Sequence, residues 1–269
     1  MQTVFITGAS SGIGKAAARL FSEKGWQVAA TMRHPERETE LPVLPNVRLF
    51  TCDVTDFQSI ERAVQGAIGA FGQIHVLVNN AGYDAVGPLE GASEGQIRSQ
   101  IETNLLGTVF VTRAMLPYFR ENGGGTLINL SSVAGRLTMP LQSLYHASKW
   151  GVEGFSESLQ FELKPFGIHV RLIEPGIIKT DFYNRSIMRM DVTAPEPYRA
   201  VAGRLIKTLV LYGQYGSDPA GVAQTIYRAA TDRGARLRYA VGKGRGVLWL
   251  QKLVPGRLLR AVIARFSSR

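Results

Sequence analysis

The stretch Val4-Phe5-Ile6-Thr7-Gly8-Ala9-Ser10-Ser11-Gly12-Ile13-Gly14 decides the fold. Its first three residues form a short apolar run of the kind that fills a buried parallel strand. Three glycines at G-x-x-x-G-x-G spacing then interrupt it, and residues 15–24, in which Ala and Leu are frequent, read as a helix. Gly25 closes that helix as a C-terminal glycine should, and residues 26–31 (WQVAAT) form a second strand. Strand, glycine-rich turn, helix and strand make the unit in which backbone approaches a pyrophosphate at a helix N-terminus. Gly8, Ser10, Ser11, Gly12, Ile13 and Gly14 are therefore candidate nucleotide contacts. The alternative is a tight turn with no ligand.

Working outward, the alternation of strand and helix continues. Many NAD-binding chains carry an acid at the end of the second strand for the adenosine ribose hydroxyls. Here Thr31-Met32-Arg33-His34 stands instead. Met32 accepts no such bond, whereas Arg33 pairs with a 2′-phosphate. NADP(H) is thus the preferred cofactor and NAD(H) the alternative, unless Arg33 is an ordinary surface residue. The third strand, Val47–Thr51, runs into Cys52-Asp53-Val54, which puts an acid where adenine would lie. Asp56 caps a helix over Phe57–Phe71. A fourth strand, 74–78, leads to Asn79-Asn80-Ala81-Gly82, small and amide residues that let backbone pass close to a ligand, or a plain loop.

Ser93 caps a helix expected to extend to about Phe119. Asn104 lies inside it beside Leu105, Leu106 and Val109, so it is either a satisfied structural polar group or a member of a site. Strand five (126–130) ends in Ser131-Ser132, and strand six (169–173) in Glu174-Pro175-Gly176, with Ile178 and Thr180 just beyond. Asp218 caps a helix to about Thr231, and Arg238–Val241 is the seventh strand. These strand-end motifs cluster where a doubly wound parallel sheet keeps its site, outside the carboxyl ends of its strands.

Tyr145-His146-Ala147-Ser148-Lys149 supplies the chemistry, in a helix expected over 146–164. Residues four apart lie on one helix face, so the phenol and the ammonium can share a pocket. A phenol ionises near pH 10 when unperturbed, and a fixed cation favours phenolate, bringing it toward the range useful for acid–base catalysis. Alone, the pair reads as an interface tyrosine beside a solvated lysine. The other motifs change that reading.

Taken together, TGASSGIG (7–14), NNAG (79–82), Asn104, Ser132, YHASK (145–149) and PGIIKT (175–180) resemble the short-chain dehydrogenase/reductase superfamily over residues 3–181. ATMRHPE at 30–36 and GPLE at 87–90 are similar to its 17β-hydroxysteroid and retinol dehydrogenase-like branch. The resemblance implies an α/β fold: a Rossmann-type, doubly wound seven-stranded parallel sheet, order 3-2-1-4-5-6-7, with helices on both faces. It implies reversible hydride transfer between a nicotinamide and an alcohol or carbonyl compound. Tyr145 would be the acid/base, Lys149 would hold the ribose hydroxyls, Ser132 would bond the substrate oxygen and Asn104 would place a water. Pro175, Gly176, Ile178 and Thr180 would lie against the nicotinamide, while Asp53, Val54, Asn80, Ala81 and Gly82 complete the expected cofactor contacts. It also implies a homo-oligomer, dimer or tetramer, packed through the helices around Asn104 and after Tyr145.

The apolar content of the substrate-lid region, 182–217, favours a lipophilic alcohol or carbonyl substrate, although a lid burying its own apolar face has the same composition. A 3-oxoacyl or small-ketone reductase is the alternative within enzymes. A non-catalytic NADP(H)-binding sensor or scaffold is the alternative outside them, and such a protein would be expected to lose Tyr145 or Lys149.

With 269 residues, 45% apolar and 19% charged, the chain suits one domain over 1–246. Eleven bases against one acid, Asp232, lie between Arg228 and Arg269, which accounts for the whole net charge of +10. Residues 247–269 read as a basic amphipathic extension: Val247-Leu248-Trp249-Leu250 and Leu253-Val254, a Pro255-Gly256 break, then a second helix. Its stripe is Leu258, Leu259, Val262, Ile263 and Phe266, with Arg257, Arg260 and Arg265 outside it. That pattern suits peripheral contact with an anionic membrane surface; the competing readings are packing over the substrate cleft or against a partner subunit. Nucleic acid is not an expected partner. No apolar run reaches the length of a membrane span, and no basic segment precedes the first strand as in a secretory signal. The single Cys52 excludes an internal disulfide framework and fits a reducing cytoplasm. Cys52, His34, His75, His146 and His169 form no ligand cluster, so no metal is expected.

Overall fold

The computed structural model describes residues 1–180, 187–189, 196–258, 261 and 263–264. Val4, Phe5 and Ile6 lie in β1 (Thr3–Ile6), which is buried on both faces. Strand side chains alternate between faces, so Val4 and Ile6 enter one core and Phe5 the other. The first core is closed by α1 (Gly12–Glu23) and α7 (Pro219–Thr231), through Ala17, Phe21, Val222 and Ile226. The second is closed by α2 (Phe57–Phe71), α4 (Gly107–Glu121) and α5 (Ser143–Leu163), through Ile60, Val111, Met115 and Leu159.

The remaining strands are β2 (Gln27–Met32), β3 (Val47–Thr51), β4 (Val76–Asn79), β6 (Gly125–Leu130), β7 (Ile168–Pro175) and β9 (Arg238–Val241). With β1 they form a seven-stranded sheet in the order β3-β2-β1-β4-β6-β7-β9, every neighbouring pair parallel. This is the expected doubly wound sheet and order. A feature the sequence reading does not contain is a second, two-stranded parallel sheet, in which β5 (Asp84–Val86) pairs with β8 (Ile187–Arg189).

Two helices differ in detail from expectation. The helix capped by Ser93 reaches Glu121, but as α3 (Glu94–Ile101), a π-turn over Glu102–Leu106, and α4. The wide turn contains Asn104. Helix α5 begins at Ser143, so Tyr145 sits inside its first turn.

In the lid region, residues 182–186 and 190–195, Met190 among them, lie outside the described residues, and α6 (Glu196–Tyr215) is a long helix. Beyond β9, α8 (Gly246–Leu253) begins the C-terminal extension. Leu259, Arg260, Val262, Arg265 and Phe266 of the expected stripe and its flanks lie outside the described residues.

Candidate active site

The glycine-rich turn is built to keep backbone N–H groups available to an anion. Gly8 and Gly12 have φ of +66° and +55°, values that side-chain-bearing residues resist. A Cβ added at Gly14 would lie 2.4 Å from the Gly8 carbonyl oxygen, so helix α1 packs directly onto its own turn. Ser11 is the N-cap of α1, yet its side chain makes no capping bond, and no acid stands in the first turn. The helix therefore presents uncapped, unshielded donors. Thr7 Oγ1 accepts from the backbone N–H groups of Asn80 and Ala81 at 2.9 and 3.1 Å. Asn80 Nδ2 donates back to the carbonyls of Thr7 (2.9 Å) and Gly8 (3.0 Å). The Asn80 side chain is thus committed to strapping the two loops together. Its backbone and those of Ala81 and Gly82 remain beside the turn.

At the next strand end, Met32 is buried and Arg33 is exposed. The neighbouring bases are occupied: Lys15 binds Glu38 (3.1 Å) and Glu40 (2.7 Å), and Arg19 binds Glu40. Arg33 forms no ion pair among the described residues. Asp53 Oδ1 accepts from Thr55 N (2.9 Å) and Thr55 Oγ1 (2.8 Å), and Val54 is buried against Gly107.

Lys149 lies at the opposite end of the same row of loops. Its amine is buried, donates to the Leu130 carbonyl at the end of β6 (2.8 Å), and stands 5.9 Å from the centre of the Tyr145 ring. Burial lowers its pKa to about 8, against the opposing pull of Asp84 and Glu153. Asn104 Oδ1 accepts from Tyr83 N (3.0 Å), and its Nδ2 donates to Tyr83 O (2.8 Å) and to Ser148 Oγ (3.2 Å). A Cβ added at Gly82 would lie 3.2 Å from Asn104 Oδ1 and 3.8 Å from Lys149 Nζ. Asn104, Gly82, Lys149 and Tyr145, far apart in the chain, therefore occupy one place.

Ser132, two residues past Leu130, accepts from Ala134 N (3.1 Å) and donates to Pro175 O (3.3 Å), which ties it to the end of β7. Gly176 passes so close to the Lys243 carbonyl that no side chain fits, and Thr180 borders Gly12. The Ile178 side chain lies in the first core, and its backbone bridges to Ser217.

Three further residues escaped the sequence reading. His146 bonds the Ala134 carbonyl through Nδ1 (2.8 Å), and its Nε2 accepts from Met139 N (2.8 Å). A neutral ring with the proton on Nδ1 satisfies both bonds and pins the loop that carries Ser132. Asp84 and Gln142 form a buried hydrogen-bonded pair, and the Asp84 charge acts on Lys149 through space. The one sequence signal for them is an acid two residues after NNAG.

A family model described as short chain dehydrogenase matches residues 2–191. The chain belongs to the short-chain dehydrogenase/reductase family. This family member is 40% identical over 249 residues to an uncharacterized oxidoreductase, YusZ, of Bacillus subtilis, covering 89% of this chain and 88% of that one. It is 37% identical over 242 residues to a 3-ketodihydrosphingosine reductase of Bacteroides thetaiotaomicron, covering 90% and 88%. Among solved structures, a short-chain dehydrogenase from Streptomyces avermitilis superposes with a TM-score of 0.85 at 32% identity, covering 100% of this chain and 98% of that one. ElxO with NADP bound does so with a TM-score of 0.72 at 26% identity, covering 89% and 97%.

As a short-chain dehydrogenase/reductase the chain is an NAD(P)-dependent oxidoreductase acting on CH–OH groups. The glycine cradle and the uncapped helix fit the pyrophosphate of a dinucleotide on their own geometry. Among the described residues no group of His, Cys, Asp and Glu is arranged to hold a metal ion, and no helix is long and apolar enough to cross a membrane.

Proposed function

We propose that this enzyme interconverts a lipophilic alcohol and its ketone or aldehyde with NADP(H), using Tyr145 as acid and base. The observation that carries the reading is the buried Lys149 amine, 5.9 Å from the Tyr145 ring centre and sharing the Gly82 position with Asn104.

The bound nicotinamide supplies or accepts the hydride. The 8–14 turn holds the pyrophosphate, Arg33 the 2′-phosphate, and Asp53 and Val54 flank the adenine. Backbone at 80–82 and 175–180 borders the ribose and nicotinamide, and Lys149 bonds the ribose hydroxyls. In reduction Tyr145 Oη gives its proton to the carbonyl oxygen; in oxidation it takes the proton from the alcohol. The Lys149 ammonium stabilises the phenolate that remains. Ser132 Oγ turns from Pro175 O to the substrate oxygen and steadies its developing charge. Asn104, fixed by Tyr83 and Ser148, positions a water that continues the proton path from Lys149. Holding the reactants in this geometry removes much of the entropic barrier.

The lipophilic reading is supported by the 3-ketodihydrosphingosine reductase relative. Homo-oligomerisation through α5 is proposed on the exposed Trp150 and Phe161, and membrane contact on the tail. Profiling NADPH oxidation against steroid, retinal, acyl and small-ketone panels identifies the substrate class. On the best substrate, Tyr145→Phe is expected to lower turnover by about 10²–10⁴-fold with NADPH affinity intact. Wild-type turnover in that variant refutes the assignment.

A further inference from the structure

Asp84 is a buried acid that the mechanism above does not use. It opens β5, two residues past Gly82, and is 1% exposed. Its Oδ2 accepts a 2.5 Å bond from Gln142 Nε2, while Oδ1 is buried with no partner among the described residues. A half-satisfied buried carboxyl is costly, and its strand neighbours Ala85 and Val86 are plain apolar core.

Its surroundings give it a use. Gln142 is the residue that leads into α5, three residues before Tyr145 and seven before Lys149, so it enters on the side of the helix that carries them. Gly82 lies two residues upstream of Asp84, and a Cβ added there would stand 3.8 Å from Lys149 Nζ. Lys149 makes no ion pair among the described residues, and the two carboxyls that act on it through space are Asp84 and Glu153. Glu153 is already bonded to Arg238 at 3.0 Å. Asp84 is the carboxylate not committed to another cation.

We propose that Asp84 is a positioning residue of the proton-transfer centre: clamped to the face of α5 by Gln142, its carboxylate is the counter-charge that keeps the Lys149 amine protonated beside Tyr145. This rests on the Tyr145–Lys149 reading given above. Burial pushes Asp84 up to about 7 and Lys149 down to about 8, and each charge opposes the other's shift. The other titratable groups packed around the pair are accounted for. Glu153 is bonded to Arg238, Glu174 is held by Arg136 (3.3 Å) and Arg238 (3.5 Å), His146 is kept neutral by burial, and burial raises Tyr83.

The test is a pH titration of the Lys149 side chain by NMR in full-length protein carrying ¹³Cε-labelled lysine, the resonance assigned with Lys149→Met. Asp84→Asn keeps an acceptor for Gln142 and removes only the charge. The Lys149 midpoint is expected to fall by about 1 pH unit or more. The acid limb of alcohol oxidation is expected to move to higher pH, because a less protonated Lys149 supports the phenolate less. A folded Asp84→Asn protein with an unmoved Lys149 midpoint, or with a rate lowered equally at every pH, overturns the proposal. Should that variant fail to fold, Asp84→Ser carries the same expectation. The titration needs no turnover, so its outcome is distinct from any failure of the catalytic assignment.

Discussion

Arg33 follows the last residue of β2, exposed and with no carboxylate bound to it among the described residues, although Glu36, Glu38 and Glu40 are close in sequence. Those acids are spent elsewhere: Glu38 and Glu40 hold Lys15, and Glu36 meets His34 at 3.2 Å. On the proposed reading, this cation is the group that would meet a 2′-phosphate. Arg33→Asp is therefore expected to weaken NADPH binding by about 10-fold or more, the loss of one charge-assisted bond, and to leave NADH affinity nearly unchanged. Fluorescence titration with the two cofactors checks this, and equal losses mean that Arg33 does not recognise the phosphate. The place of Arg33 just past β2 was legible in the sequence because position relative to a strand end is local information. Asp84 and Gln142 were not, because their pairing spans 58 residues and depends on a strand of three residues, too short to leave a pattern. The use of the Asn80 amide was not legible either, because its bonds to the Thr7 and Gly8 carbonyls span more than 70 residues.

At the scale of elements, the apolar alternation and the end signals placed the strands of the main sheet, and Ser93 with Gln96 forms the capping box that starts α3. The π-turn inside that helix was not legible. Its wide turn accompanies bonds made in three dimensions, from Asn104 to Tyr83 and from Thr108 Oγ1 to the Asn104 carbonyl, and such turns recur at functional sites. The junction of α5 with the Ser132 loop likewise depends on one buried ring, His146. Replacing it in His146→Leu leaves the Met139 N–H and the Ala134 carbonyl unpaired, an expected loss of about 1–3 kcal/mol in stability. Burial holds His146 below its ordinary pKa. The unfolded chain therefore binds the proton first, and stability falls as pH drops below roughly 6.5. His75 and His169 are shifted the same way by burial, so the variant removes only the share due to His146. Urea denaturation between pH 8 and 5 measures both effects: a lower midpoint at pH 8 and a shallower decline toward pH 5. An unchanged midpoint at pH 8 means the two bonds do not support the loop.

For the molecule as a whole, charge and apolar exposure are distributed unevenly. All of the net +10 lies from Arg228 onward, so the body that carries the site is neutral while its C-terminal part is basic. Composition revealed that asymmetry, but not where the extension attaches. Gln251 Nε2 donates to the Arg136 carbonyl at 3.0 Å and Leu248 is buried, which seats α8 beside the loop that follows Ser132. The same extension leaves Leu250, Leu253 and Leu258 48%, 64% and 60% exposed. Docked on one side and apolar on the other, with arginines beyond it, the segment matches an interfacial anchor that would hold the substrate cleft near a lipid surface. Truncation after Val254 keeps α8 and its bond to Arg136 while removing the arginine-rich remainder. In flotation with vesicles containing anionic lipid, the full-length protein is expected to rise with the lipid and to be released as salt is raised, since screening shortens the reach of exposed charge. The truncated protein is expected to stay in the aqueous fraction, and neither form is expected to float with zwitterionic vesicles. If both proteins float, α8 binds the lipid without the arginine-rich remainder; if neither floats, the exposed leucines serve a protein contact instead, either a partner subunit or the lid.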